Sequence, residues 1–291
     1  MALAQQRPVS LTTLFALGRV SNLPTVWTNV LAGIVLAGGD WRSWRTDLVI
    51  LAMSLFYVGG MYLNDFYDRA ADARERPERP IPKGEIAANA VMITGFAMLA
   101  AGVALMAVHG WAAALAGASL AAVIVGYDVS HKGNPLAPAM MGLCRALVYC
   151  GASAALTGAL AAAIAAPAIA LLAFVAGITY AARQESFDRV DHFWPLLLLA
   201  APLTAAFSAL KEGPFAATVY VLLAACVLYA AVLLVKRPVT GAVSRAVGVL
   251  IAGISLIDAS FLAVSGETAA ALIACVGFPV TLFLQKWIAG T

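Results

Sequence analysis

Charge is what this sequence has least of. Lys, Arg, Asp and Glu make up 11% of its 291 residues, where an average soluble domain carries roughly a quarter. So few charges could not clothe a water-facing surface. The 63% of hydrophobic residues and a mean hydropathy of +0.90 make lipid the expected solvent. Short alternating strands of a membrane barrel are absent, which leaves helices, whose backbone polar groups pair within the segment. Histidine is scarce too: His109 falls on one side of the expected topology, His131 and His192 in two separate loops on the other, and they form no metal set. The four cysteines, Cys144, Cys150, Cys226 and Cys275, lie in apolar stretches at spacings that match no zinc or disulfide framework. They read as small packing residues. Residues 1–21 carry no cleavable signal pattern, because Arg19 interrupts the apolar part. Membrane lipids are expected neighbours and no nucleic-acid partner is expected.

An all-α, polytopic membrane protein follows, as a single domain over residues 1–291. A spanning helix needs about 20 mostly apolar residues. Such stretches fall near 22–38, 48–63, 86–108, 111–127, 138–158, 163–181, 194–210, 215–235, 245–264 and 268–285. Several are short or run closely into the next, so nine or ten transmembrane helices are predicted.

The charge that is present collects on one side. The segment "LNDFYDRAADARERPERPIPKGE", residues 63–85, sets Asp65, Asp68, Asp72, Glu75, Glu78 and Glu85 against Arg69, Arg74, Arg76, Arg79 and Lys83. It shares a face with Arg7, Arg19, Lys132, Arg183, Arg189, Lys236, Arg237 and Arg245, while the opposite loops hold only Arg42, Arg45 and Lys211. That asymmetry puts the basic face in the cytoplasm, and a bacterial inner membrane is the expected location. Bases alone would need only topology and anionic lipid as their explanation. The acids need another, and Asp128, Glu185, Asp188 and Asp191 join them on that face.

Spacing supplies one. On a helix, Asn64, Asp65, Asp68 and Asp72 fall within an arc of about 100°. Carboxylates stacked there repel one another unless a cation lies among them. Hard oxygen donors suit Mg2+, which takes one or two protein carboxylates and completes its shell with water and substrate phosphate. Neighbouring bases suit the remaining phosphate oxygens. The plainer alternative is a solvated helix end neutralised by its own i, i+4 pairs. Asn64 at the head of the arc and the stiff "PERPIPKG" turn after it favour metal and diphosphate.

"NDFYDRAAD" followed by "RPIPKGEI" resembles the UbiA superfamily of intramembrane prenyltransferases, with its N-D-x-x-D-x-x-x-D motif in a cytoplasmic loop after the second span and its R-P-[IL]-P-x-G segment. "LGRVSNLPTVWTNVLAG" is similar to the family's opening helix, and "YDVSHKGNP" with "CRALVY" to its loop between the fourth and fifth spans. The resemblance runs from about Leu17 onward. It implies nine helices around a central cavity, a cap that binds Mg2+ and prenyl diphosphate, and a lateral opening for long tails. The family's second acidic motif corresponds to "RQESFDRVD", where Glu185, Asp188 and Asp191 stand three apart and spread over about 120° of a helix. That spacing marks a divergent branch.

The chemistry expected is ionisation of an allylic diphosphate, whose leaving group must be neutralised as charge develops on its oxygens. Metal would be held by Asn64, Asp65, Asp68 and Asp72, and by Glu185, Asp188 and Asp191. Arg79 and Lys132 would meet the phosphates, with Arg19, Asn22 and Arg145 as further candidates. Arg145 sits just inside a span, where an ionisable group is costly and suggests function. The resemblance adds Tyr127, beside the reacting carbon or its phosphate. Asp65, Asp68, Tyr127 and Lys132 are thus the catalytic candidates. The function expected is transfer of an isoprenyl group to an aromatic or other lipid-precursor acceptor. Terpene cyclisation in the same fold and a non-catalytic prenyl-lipid binder are alternatives. A transporter is disfavoured because only Asp258, read as an isolated acid, lies deep in a span. A CDP-alcohol phosphotransferase is disfavoured because its Asp-Gly pairs are missing.

Overall fold

A computed structural model describes residues 9–183, 192–237 and 240–290. Eleven α-helices follow in order among them: α1 (Leu11–Leu17), α2 (Leu23–Leu36), α3 (Trp44–Glu75), α4 (Ala88–Ala107), α5 (Trp111–Ser130), α6 (Ala137–Thr157), α7 (Ala165–Ala182), α8 (Ala201–Ala205), α9 (Pro214–Lys236), α10 (Ala242–Val264) and α11 (Thr268–Leu284). No strand occurs among the described residues.

Length and composition suit seven helical segments to crossing a membrane: α3, α4, α5, α6, α9, α10, and α7 with the turn before it. Three shorter apolar segments, Val20–Leu36, Trp194–Ala205 and Thr268–Leu284, accompany them. Many large apolar side chains lie on the outside, with Trp111 80% and Leu197 75% exposed, which suits lipid contact and not water. This is an integral membrane protein.

Two sequence expectations change here. The span predicted at 194–210 is not one helix: a 3₁₀ stretch (Trp194–Ala200), α8 and a second 3₁₀ turn (Phe207–Leu210) follow one another. Pro195 and Pro202 open the first two pieces, and neither has an N–H to continue an α-helical ladder. The acidic motif, expected in a loop after a span ending near 63, lies instead on α3 itself. That helix runs on to Glu75, with the Arg76 N–H still bonded to the Asp72 carbonyl at 2.8 Å. Ala70, Ala71 and Ala73 favour the helix, and Pro77 stops it.

Two hydrophobic clusters make up most of the interior. Val26, Val30, Ile34, Phe56 and Leu120 belong to one, built by α2 to α6, and Leu171, Phe174, Leu223, Leu250 and Ile257 to the other, built by α7 to α11 with α2 and α6. Helices α2 and α6 contribute to both, and they approach closely: a Cβ on Gly33 would lie 2.9 Å from the Tyr149 Cα. Only glycine allows that contact. Gly158, at φ 76°, ends α6 in the left-handed conformation that favours glycine. A small third cluster, Leu17, Tyr62 and Val91 with Ile81 and Ile86, seats α1 and the loop after α3 on the end of the bundle. Thr13 Oγ1 fastens that loop by donating to Glu85 Oε2 at 2.9 Å.

Candidate active site

The arc on α3 divides into two pairs. Asn64 and Asp68, about 40° apart on the helix, line a cavity of about 390 Å³. Asp65 and Asp72 turn toward arginines. Asp65 Oδ1 receives Arg19 Nη2 at 3.2 Å and Arg79 Nη1 at 3.1 Å, and Asp72 Oδ2 receives Arg79 Nη1 at 3.1 Å. Both carboxylates are buried, and both are neutralised by bases from neighbouring segments. Arg19 also reaches Met61 Sδ at 3.0 Å and Asn64 Oδ1 at 3.5 Å. Its φ of 42° is uncommon for a residue with a Cβ, and it occurs where the guanidinium meets three groups.

Helix α5 supplies the facing wall. Asn64 Nδ2 donates to Asp128 Oδ1 at 3.2 Å. Just beyond the end of α5, His131 Nε2 lies 3.2 Å and Lys132 Nζ 2.6 Å from Asp68 Oδ1. The His131 ring stacks on Tyr127, centroids 5.1 Å apart. The Asp68 contact holds the His131 pKa above its ordinary 6.5, with partial burial opposing. Tyr127, Asp128 and His131 all line the cavity with Asn64 and Asp68.

Below this charged mouth the walls are apolar, formed by Val26, Met53, Phe56, Leu120, Ile124 and Val148 among others. A charged group stands in that wall. Arg145, on α6, donates from Nη1 to Asn29 Oδ1 at 3.0 Å and from Nη2 to Thr25 Oγ1 at 3.1 Å. Asn29 Nδ2 in turn donates to both oxygens of Asp258, at 3.0 and 2.8 Å, and the Tyr149 hydroxyl donates to Asp258 as well. Asp258 is therefore not the isolated acid expected from the sequence: Asn29 bridges it to Arg145 inside the bundle.

Most of the expected site residues come together, in differing roles. Asn64, Asp68, Tyr127, Arg19 and Arg79 line the mouth. Lys132 reaches it only through Asp68, and Asp65 and Asp72 only through the arginines they hold. Asn22 lines the cavity, but its amide is engaged within the protein: Nδ2 donates to Tyr57 Oη at 3.1 Å and to the Gly290 carbonyl at 2.8 Å, and Oδ1 accepts from Gln285 Nε2 at 3.0 Å. Arg145 belongs to the deeper network and has no ion pair with the acidic arc. Glu185, Asp188 and Asp191 lie outside the described residues. Asp128, which lines the cavity, was missed as a site residue. The available signal was its place between Tyr127 and Lys132, about one helical turn before His131.

The donors at the mouth fit Mg2+. Asn64, Asp68 and Asp128 offer hard oxygens from two helices, and Asp128 Oδ2 is buried with no hydrogen-bond partner. No three His, Cys, Asp or Glu side chains among the described residues gather in a metal-holding group. That arrangement suits an ion that takes one or two carboxylates and fills its shell with water and phosphate.

An all-helical membrane bundle with paired acids and arginines over an apolar cavity defines the class. Residues 26–254 match the UbiA prenyltransferase family, and the chain belongs to that family. Among curated proteins it is 37% identical over 91 residues to digeranylgeranylglyceryl phosphate synthase of Methanothrix thermoacetophila, a match covering 31% of this chain and 34% of the relative. A similar match, 38% over 76 residues, joins it to the Thermococcus kodakarensis protein of the same name, covering 26% of this chain and 27% of that one. The matched stretch thus spans about a third or less of these relatives. The fold extends further. A UbiA homologue from Aeropyrum pernix superposes with a TM-score of 0.66 at 17% identity, over 89% of this chain and 98% of that one. A homologue from Archaeoglobus fulgidus bound to GPP and Mg2+ gives 0.53 at 16% identity, over 94% and 99%.

Proposed function

We propose that this protein is a Mg2+-dependent intramembrane prenyltransferase whose cavity mouth takes the diphosphate of a prenyl donor and whose apolar walls take its tail. The observation that carries this reading is the placement of Asn64, Asp68 and Asp128, with Arg19, Arg79 and His131 around them, at the opening of an otherwise apolar cavity. Its relation to an Archaeoglobus fulgidus homologue that binds GPP with Mg2+ supports it. Asn64 and Asp68 would hold Mg2+, which when bound supplies positive charge to the leaving diphosphate. Arg19, Arg79 and Lys132 bind the remaining phosphate oxygens, Asp65 and Asp72 acting by fixing the arginines. The allylic C–O bond breaks with its electron pair leaving on the diphosphate. The apolar walls exclude water from the resulting cation, and the Tyr127 ring lies at the mouth where it can face the reacting carbon. A nucleophilic acceptor then forms the new bond and releases a proton.

Glu185, Asp188 and Asp191 are proposed to add a second acidic group, on the strength of their spacing and place in the chain. For the acceptor, the two archaeal relatives favour a glyceryl phosphate lipid, and the basic residues of the cap side favour a mouth open to the cytoplasm. The test is incubation of the purified protein with Mg2+ and labelled C10 to C20 prenyl diphosphates, with and without a prenylglyceryl phosphate, followed by mass spectrometry. Ether product only with acceptor supports transfer. Hydrocarbon product without acceptor points to cyclisation, and absence of diphosphate release points to a binding protein.

A further inference from the structure

Among the described residues, Asp128 Oδ2 is a buried carboxylate oxygen with no hydrogen-bond partner, and Asp68 Oδ1 is buried against the charged groups of Lys132 and His131. Both belong to residues lining the same cavity, one from α3 and one from α5. They differ in one respect. Asp68 has Lys132 and His131 in ion-pair contact, whereas no base among the described residues pairs with Asp128, which is only 3% exposed. A buried carboxylate oxygen with no donor or cation is costly to keep, and here a second carboxylate faces the same space.

We propose that Asp128 is a metal ligand, contributed from α5 to complete an oxygen set with Asn64 and Asp68 for the divalent cation that accompanies the prenyl diphosphate. The proposal rests on the prenyltransferase reading. Three observations converge on it. Of the four arc residues on α3, Asn64 and Asp68 line the cavity, while Asp65 and Asp72 are held by Arg19 and Arg79; Glu75, at the helix end, lines it as well. A further protein oxygen is available beside Asn64 and Asp68 from another helix, α5. Asp128 is placed to give it: its Oδ1 takes the Asn64 amide N–H, Asn64 Oδ1 has one long contact from Arg19 at 3.5 Å and a second lone pair for an ion, and Asp128 Oδ2 is uncommitted. Asp68 with Asp128 makes two carboxylates, the number Mg2+ usually accepts from protein when phosphate and water complete its shell. A neutral partner for Asn64 would not need a charge at this position.

The experiment uses the full-length protein in nanodiscs, Mn2+ in place of Mg2+, and a C10 prenyl S-thiolodiphosphate that cannot ionise. Free Mn2+ is followed by electron paramagnetic resonance. Asp128→Asn keeps the shape and the contact to Asn64, and it should weaken Mn2+ binding by at least about tenfold. Asp128→Cys gives an independent reading, because a thiolate ligand prefers a softer ion. It should raise Cd2+ affinity at least about tenfold over the wild-type protein, a gain that a general base or a purely structural aspartate does not produce. Wild-type Mn2+ affinity in Asp128→Asn, or no Cd2+ gain in Asp128→Cys, overturns the ligand assignment alone. Failure of the wild-type protein to bind Mn2+ with the analogue overturns the prenyltransferase reading, and the ligand with it.

Discussion

In the membrane core, Asp258 receives two contacts from Asn29 and one from the Tyr149 hydroxyl, and Arg145 joins through Asn29 and Thr25. At the cavity mouth, Asp128 keeps a buried oxygen that no hydrogen bond reaches, and Asp68 meets the bases Lys132 and His131 just beyond α5. Both regions bury charge in a protein that has little of it. The core network is closed, so its value lies in holding α2, α6 and α10 together and in fixing Arg145 in the cavity wall. The mouth is open on the side facing the cavity, which is what a group that must receive a ligand requires. Satisfaction of polar atoms, more than the presence of charge, separates scaffold from site here.

Substitution should separate the two regions along different axes. The largest effect is expected from Asp68→Asn, which should lower the rate of diphosphate release by about a thousandfold or more. Its melting temperature in detergent should stay within a few degrees of the wild type, roughly a 1 kcal/mol change. A collapse of stability instead would make the mouth structural. The opposite pattern is expected in the core. Asp258→Ala strands Arg145 and should cost about 3–5 kcal/mol of stability, read by unfolding in detergent. Replacing both partners, Asp258→Met with Arg145→Met, should recover much of that loss. If the single and double variants are equally unstable, the bridge through Asn29 carries no coupling.

Arg79→Ala should weaken binding of a prenyl diphosphate analogue by roughly 10- to 100-fold, as loss of a charge-assisted contact does. Calorimetry would show it, and an unchanged affinity would mean that Arg79 serves only Asp65 and Asp72. The smallest effect concerns His131. Its pKa is raised by the contact with Asp68, so the protonated ring stabilises the fold. That contribution is complete below the ordinary value of 6.5 and fades as pH rises through the raised one. His131→Gln should flatten the melting temperature over that window, by about 1 kcal/mol or less. A wild-type pH profile in the variant would remove His131 from the pair.

Local pattern made much of this legible beforehand. Hydropathy located the long helices, and the i, i+4 spacing of Asn64 and Asp68 placed both on one face of α3. Which carboxylates the arginines would claim was not legible, because Arg19 and Arg79 approach from segments whose geometry depends on a left-handed residue and a proline-rich turn. The same limit hid the core network: Asn29, Arg145, Tyr149 and Asp258 sit on three helices and meet only through packing. Asp128 escaped because an acid at a helix end has an ordinary explanation until its burial is known. The break at 194–210 was signalled by Pro195 and Pro202, which a hydropathy window does not weigh.

The central claim is that α3 and the end of α5 form one ligand site over the cavity. Hydrogen exchange of the full-length protein, with and without Mg2+ and the non-ionising prenyl diphosphate analogue, tests it most directly. Protection should rise together at residues 64–79 and 127–132, while the turn at 38–43 on the other side stays unchanged. A rise confined to 64–79, with 127–132 exchanging as before, would contradict it.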